Sequence, residues 1–343
     1  MRTFDTAPAP HLPPRGSVRA LMLEVLAALV PGVLAYVYFF GPGLLVQIAL
    51  AVLFALAVEA VCLKLRGRAL MPFLGDGSAV LAAVLFALCL PPLAPWWVAA
   101  LGMAVGIGLA KHAYGGLGYN LFNPAMVGYA VVLVSFPLEL SQWLAPRGLR
   151  AEAPGLLESL QIILAGAAPS AGWDAISMAT PLDTVRQLTS QGQTLVEIHS
   201  DARFGDFGGR GWEWVANFFA LGGLWLLIRR KIPWQTPLAT LGSVILLSLP
   251  FWAMEPDVHP FPLQHVFSGA LVLAAFFVVT DPVSGCSTPR GRLIFGAGVG
   301  VLTLAIRRWG SYPDAIAFAV LLMNCAAPFI DRYTRPRVYG APR

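Results

Sequence analysis

The sequence predicts an all-α polytopic membrane protein, with about ten transmembrane helices as two inverted five-helix repeats and an extramembrane segment between them. Three observations carry this expectation. Only 12% of the 343 residues are charged and 57% are hydrophobic, with a mean hydropathy of +0.70, where a soluble domain carries about 25% charged residues. Apolar runs at or near bilayer length recur along the chain. The two halves also resemble each other at a nearly constant offset.

Ten spans are predicted: 20–40, 43–63, 77–92, 95–111, 121–138, 213–228, 236–252, 264–280, 291–307 and 313–330. Several fall short of the roughly 20 residues of a full crossing and are expected to be broken or interfacial. Residues 1–19 are polar and Pro-rich, with Arg2, Arg15 and Arg19. The long apolar run that follows reads as a retained span and not as a signal peptide. With the N-terminus inside, 16 of the 23 basic residues fall on the cytoplasmic side, as basic-residue asymmetry requires. The layout is then a cytoplasmic tail (1–19), a first half (20–138), a periplasmic segment (139–212), a second half (213–330) and a cytoplasmic tail (331–343). Arg307 and Arg308 are out of place, two arginines at an outer helix end.

The repeat shows in "SAVLAAVLFALCLPP" (78–92) against "SGALVLAAFFVVTDP" (268–282), and in "GYNLFNPAMVGYAVVLV" (118–134) against "GSYPDAIAFAVLLMNCA" (310–326). Five spans per half is an odd number, so the halves face opposite ways. Many transporters share that layout.

Inside the apolar frame, "KHAYGGLGYNLFNPAMVG" (111–128) is the densest polar feature. Asn120 and Asn123 are amides three apart, which share a face on a helical turn. Asn123 followed by Pro124 is also an N-cap with Pro at the first helical position. Both readings stand: a capped helix after a Gly-rich turn, or amides holding a planar polar ligand. Glu24 and Glu59 are the carboxylates well inside predicted spans, with Gln47 nearby. Ionisable groups there are candidates for an ion pathway, although local pairing, with Lys64 reaching Glu59, is the plainer expectation. Asp281 reads as a helix end that lines a site. The four cysteines lack metal-ligand spacing and read as small buried hydrophobes.

The outer segment contains "DAISMATPL" (174–182). Its only histidine is His199, without a supporting pattern, so a Ser/His/Asp hydrolase is excluded. The residue before Pro is pushed toward extended geometry, which is expected to leave the Thr180 hydroxyl outward and reachable.

Asp174-Ala175-Ile176-Ser177-Met178-Ala179-Thr180 resembles the flavinylation motif Asp-x-x-Ser/Thr-Gly-Ala-Thr, with Met178 in place of Gly. Together with "GYNLFNPA" and "YPDAIAFAVLLMN…APFID", it resembles the D subunits of Rnf electron-transport complexes and the related B subunits of sodium-translocating NADH:quinone oxidoreductases. The resemblance covers nearly the whole chain. It implies FMN joined to Thr180 through a phosphoester by a periplasmic, FAD-dependent flavin transferase, with Asp174, Ser177 and Ala179 in the recognition sequence. It also implies a non-covalent riboflavin near Asn120 and Asn123. The expected role is an electron-relay subunit in the bacterial inner membrane, in a complex coupling ferredoxin/NAD(+) electron transfer to Na(+) or H(+) movement. No dinucleotide fingerprint or ferredoxin-type cysteine run is present, so NAD and iron–sulfur sites are expected on partner subunits. No nucleic-acid partner is expected. A stand-alone channel or secondary transporter is the alternative, and it leaves the outer motif unexplained.

Overall fold

The computed structural model describes residues 17–150, 153–312 and 314–336. Most of the two predicted tails, Arg2, Arg15, Arg337 and Arg343 included, lies outside the described residues. The described chain is helical throughout, with isolated β-bridges but no strands.

The first half runs α1 (Val18–Phe40), α2 (Gly43–Leu65), α3 (Leu70–Leu74), α4 (Ser78–Ala87), α5 (Trp96–Met103, continued as a π-helix over Ala104–Ala113) and α6 (Pro124–Ser135). A connecting segment follows, with α7 (Pro137–Ser141), α8 (Leu156–Ala165), α9 (Trp173–Ile176), α10 (Pro181–Ser190) and α11 (Leu195–His199). The second half runs α12 (Trp212–Ile228), α13 (Gln235–Met254), α14 (Pro262–Phe267), α15 (Leu271–Leu273, continued as a π-helix over Ala274–Val278), α16 (Pro289–Trp309) and α17 (Ile316–Thr334). The order of the first half recurs in the second, and matching helices start 192–194 residues apart.

Five helices, α1, α2, α13, α16 and α17, have the length and composition to cross a membrane. The chain is a multi-pass helical protein, but two predicted spans need correction. Span 77–92 is only the ten-residue α4, followed by turns. Span 264–280 is broken between α14 and α15. Gly77 and Gly269 stand before α4 and α15 with φ of +82° and +70°. That left-handed backbone strains any side-chain-bearing residue. The continuous apolar run conceals both breaks.

Helix starts follow local chemistry. The Ser17 hydroxyl accepts from the Ala20 amide at 3.1 Å and opens α1. The Thr288 hydroxyl accepts from the Gly291 amide at 2.9 Å, with Pro289 next, and opens α16. Long helices then pack through small residues, since lipid gives apolar side chains little reason to associate. A Cβ on Gly222 of α12 would collide with the Ala28 carbonyl of α1 and touch Phe277.

Gly222→Ala is therefore expected to lower the melting temperature of the purified protein, an overpacking cost of about 1–3 kcal/mol. Gly242→Ala in α13 serves as the control, because nothing lies within 4 Å of a Cβ there. It is expected to leave the melting temperature unchanged or raise it. Fluorescence-detected unfolding of both variants in one detergent checks this.

Candidate functional site

Two cavities lie on either side of a partition made by the broken helices. Leu81, Ala82 and Leu85 of α4 line one of them, while Leu88 and Cys89, just beyond α4, line the other. Phe276 and Phe277 face the first cavity, and Leu273 faces the second.

Thr180 lies at the second cavity, and the local fold explains how it gets there. After the single turn of α9 the chain is extended and pinned along residues 143–145. The Ala145 amide donates to the Ile176 carbonyl at 2.8 Å, and the Met178 amide donates to the Trp143 carbonyl at 2.9 Å. Ile176 is buried and anchors this strip. Thr180 has φ −64° and ψ 157°, the extended geometry expected before Pro181, and it is the N-cap of α10.

Its hydroxyl is not simply outward, which corrects the sequence expectation. Thr180 Oγ1 donates to Asp183 Oδ2 at 2.5 Å and accepts from the Asp183 amide at 3.2 Å. Threonine three residues before an acid is the ordinary N-cap pattern. "TPLD" carries that pattern, so Asp183 is a site residue visible in the sequence but lying beyond the flavin motif. Burial pushes the Asp183 carboxyl up, against the opposing pull of the Thr180 bonds.

The cavity wall beyond Thr180 is aromatic, with Tyr36, Tyr129, Trp143, Trp212 and Phe219. Trp212 packs on Phe40 and Trp143, with ring centroids 4.4 and 5.0 Å away. Its indole Nε1 is buried and has no hydrogen-bond partner among the described residues. The other motif residues do not join Thr180 in the cavity. Asp174 and Ala179 are exposed. The Ser177 hydroxyl turns back to the Trp173 carbonyl at 2.8 Å.

Asn120 and Asn123 are brought together at the first cavity, together with Lys111, Asp281 and Phe295. Asn123 is the cap of α6, as its Pro neighbour suggests. Its Oδ1 accepts from the Ala125 and Met126 amides at 3.0 and 3.3 Å. That leaves its amino group as the end available to a ligand. The Asn120 amino group donates to the Phe122 carbonyl at 3.1 Å. Asn324, not among the site residues predicted from the sequence, ties the halves together. Its Oδ1 accepts from the Asn123 amide at 3.1 Å, and its amino group donates to the Ser284 carbonyl at 3.0 Å. Asp281 closes its turn by accepting from Ser284 Oγ at 2.7 Å and from the Val283 amide at 3.1 Å.

The two intramembrane acids are paired, but not as expected. Glu59 is 1% exposed and holds Lys111 Nζ at 2.7 Å from both carboxylate oxygens, with His112 Nε2 at 3.5 Å. Lys111 Nζ also donates to Ser78 Oγ at 2.8 Å. Lys64 is exposed and takes no part. Five residues on, at about 100° per residue, it points some 140° away around α2. Glu24 pairs across the halves, with Lys231 at 2.9 Å and Arg229 at 3.3 Å.

A family model described as the NQR2, RnfD, RnfE family matches residues 5–340. The chain is similar to three proteins, each named as the D subunit of an ion-translocating oxidoreductase complex. That of Aeromonas salmonicida is 50% identical over 348 residues, with 99% of each chain covered. That of Aliivibrio salmonicida is 45% identical over 345 residues, with 98% of each covered. That of Escherichia fergusonii is 45% identical over 346 residues, again with 98% of each covered. Matches of this length leave no part of the two cavities outside the relationship, and the chain belongs to the NQR2, RnfD, RnfE family.

Proposed function

We propose that the protein is an electron-relay subunit of an Rnf-type membrane complex, carrying FMN on Thr180. One observation carries this reading: the hydroxyl of the motif threonine stands at the start of a ten-residue helix, at an aromatic-lined cavity. Helix N-termini favour anions, so a phosphodiester on Thr180 Oγ1 suits the position. The rings of Trp143 and Trp212 give a flat group surfaces to stack on, and the partnerless Trp212 Nε1 gives it a hydrogen-bond donor. A bound flavin supplies one- and two-electron chemistry, and the protein supplies position and surroundings.

The chain's own part in attachment falls to Thr180 and Asp183. Thr180 Oγ1 would form the bond to the flavin phosphorus as the pyrophosphate of FAD is cleaved, with AMP as the leaving group. The hydroxyl proton passes to Asp183 Oδ2, which already holds it at 2.5 Å. A flavin transferase acting from the periplasm would catalyse this step. Asn120 and Asn123 would hold riboflavin in the other cavity, through the free amino group of Asn123 and the carbonyl oxygen of Asn120. NAD and iron–sulfur chemistry would belong to partner subunits, with ferredoxin and NAD(+) as the electron partners and Na(+) or H(+) as the ion moved. The recurrence of element order supports two five-helix repeats, which an odd number of spans would invert, and the basic-residue asymmetry supports segment 139–212 outside the inner membrane with both termini in the cytoplasm. Glu24 and Glu59 are the ion-pathway candidates. Both are held by cations, so ion passage there would require those pairs to open.

In protein made together with its flavin transferase, a denaturing gel under ultraviolet light is expected to show a fluorescent band that Thr180→Ala abolishes. Peptide mass spectrometry is expected to find the FMN adduct on Thr180. A wild-type band without fluorescence overturns the proposal in favour of a channel or transporter. Asp183→Asn is expected to slow attachment at least ~10-fold, the low side of general-base effects, with the melting temperature retained. Timed gel fluorescence measures it. Asn120→Ala is expected to reduce acid-extractable flavin per chain while the covalent band stays constant. Equal extraction from wild type and variant would remove Asn120 from the site.

A further inference from the structure

A third cavity lies at the ends of α13 and α16 nearest α10, and it absorbs the arginines that break the charge pattern. Arg186, Arg307 and Arg308 all line it. Arg307 is locked in place. It donates to the His265 carbonyl at 2.6 Å and the Ser268 carbonyl at 3.1 Å, and pairs with Asp314 at 3.2 Å. Even so, its Nε is left without a partner, on a side chain that is 3% exposed. Arg186 donates to the Gly310 carbonyl, yet its Nη1 is buried and orphaned, as is Thr189 Oγ1 close by on α10. Arg308 lies flat on Phe251, 3.8 Å from the ring centroid, and faces both ring nitrogens of His259 at 3.1 and 3.3 Å.

The carboxylates nearby do not neutralise this cluster. Asp314 is taken by Arg307, and Glu255 is mostly exposed and 3.7 Å from His259. Asp183 is bonded to Thr180. Among the described residues, neither Arg186 nor Arg308 has a carboxylate within ion-pair distance. Three guanidinium groups therefore line one space; Arg186 and Arg307 each keep a buried nitrogen without a partner, and Gln264 Oε1 is the one partnerless carboxamide oxygen in the same lining among the described residues. Unpaired buried donors cost about 1–3 kcal/mol each, and an anion with several acceptor oxygens would satisfy them together.

The rest of the lining says which anion. Phe251 lies directly under the Arg308 guanidinium, and Leu304, one turn back from Arg308 along α16, continues an apolar wall broken only by Ser248 of α13. Trp309, 70% exposed, stands at the rim where α16 ends. Tryptophan at a span end marks the level of lipid headgroups. Cations at headgroup depth with apolar lining below match a phosphate followed by acyl chains. Neither a free ion nor a soluble acidic peptide has that profile. We propose that this cavity binds the headgroup phosphate of an anionic phospholipid, with Arg186 and Arg308 as the principal contacts. The proposal rests on α13 and α16 crossing the bilayer and is independent of the flavin on Thr180.

The full chain, purified and delipidated in detergent, is titrated with phosphatidylglycerol and phosphatidylcholine and followed by native mass spectrometry. Phosphatidylglycerol is expected to bind in preference to phosphatidylcholine. Binding by R186Q/R308Q should be about 30-fold weaker, since each basic residue contributes about fivefold. The lipid-free melting temperature of each variant establishes that it is folded. If the double Gln variant is unstable, R186K/R308K replaces it and is expected to keep the lipid preference while binding more weakly. Equal affinity for the two lipids, or unchanged affinity in the folded variant, overturns the proposal. Displacement of the lipid by inorganic phosphate at equal concentration marks a free-anion site and overturns the lipid assignment.

Discussion

A helix that stops inside an apolar interior leaves four carbonyls that water cannot reach, and the layout of this protein follows from that constraint. α4 ends at Ala87 and the π-turn after α15 ends at Val278, both deep in the core. The segments beyond them would be prohibitively polar unless other helices supplied donors. They do. The Tyr36 hydroxyl of α1 donates to the Leu90 carbonyl at 3.3 Å, the Gln47 amide of α2 to Ala94, and the Asn324 amide of α17 to Ser284. These side chains hold the broken ends, and the broken ends divide the two cavities. Removing any one of these donors would expose a buried carbonyl at the partition.

The helix starts obey the same accounting with opposite polarity. Asp76 accepts from the Ser78 amide at 2.7 Å at the head of α4, and Asp314 accepts from the Ala270 amide at 2.7 Å near the head of α15. The first acid is local to its helix. The second comes from 44 residues away and is itself steadied by Arg307. One need, an acceptor for the first amides of a helix, is thus met once by a neighbour in sequence and once by a neighbour in space. The second solution binds the Thr180 cavity, which Asp314 lines, to the arginine cluster behind it.

Local chemistry is legible in the sequence. The Asn123-Pro124 cap, the extended backbone before Pro181 and the run of helices all follow from residue type and short spacing. What is illegible depends on distance along the chain. Lys111 lies 52 residues from Glu59, and Asn324 lies 201 residues from Asn123. No pattern in one sequence joins such pairs. The breaks after Ala87 and at Gly269 fall between these cases. Pro91 and Gly269 are visible, but the apolar run around each outweighs them, because hydropathy measures burial and is blind to backbone direction. Asp183 is a different case, since its capping pattern is short and ordinary. It lies three residues past the end of the flavin motif, so the motif gives it no role.

The pair between Glu59 and Lys111 has an electrical consequence. Lys111 Nζ spends its three donors on two Glu59 oxygens and on Ser78, so the pair is saturated and neutral as a unit. A lone charge carried across the membrane potential does work of about 2.3 kcal/mol per 100 mV. Two opposite charges moving together do almost none. That pair therefore adds almost nothing to the voltage dependence of a rearrangement that carries α2 and the π-helix after α5 as one body, and it contributes only once its two charges separate.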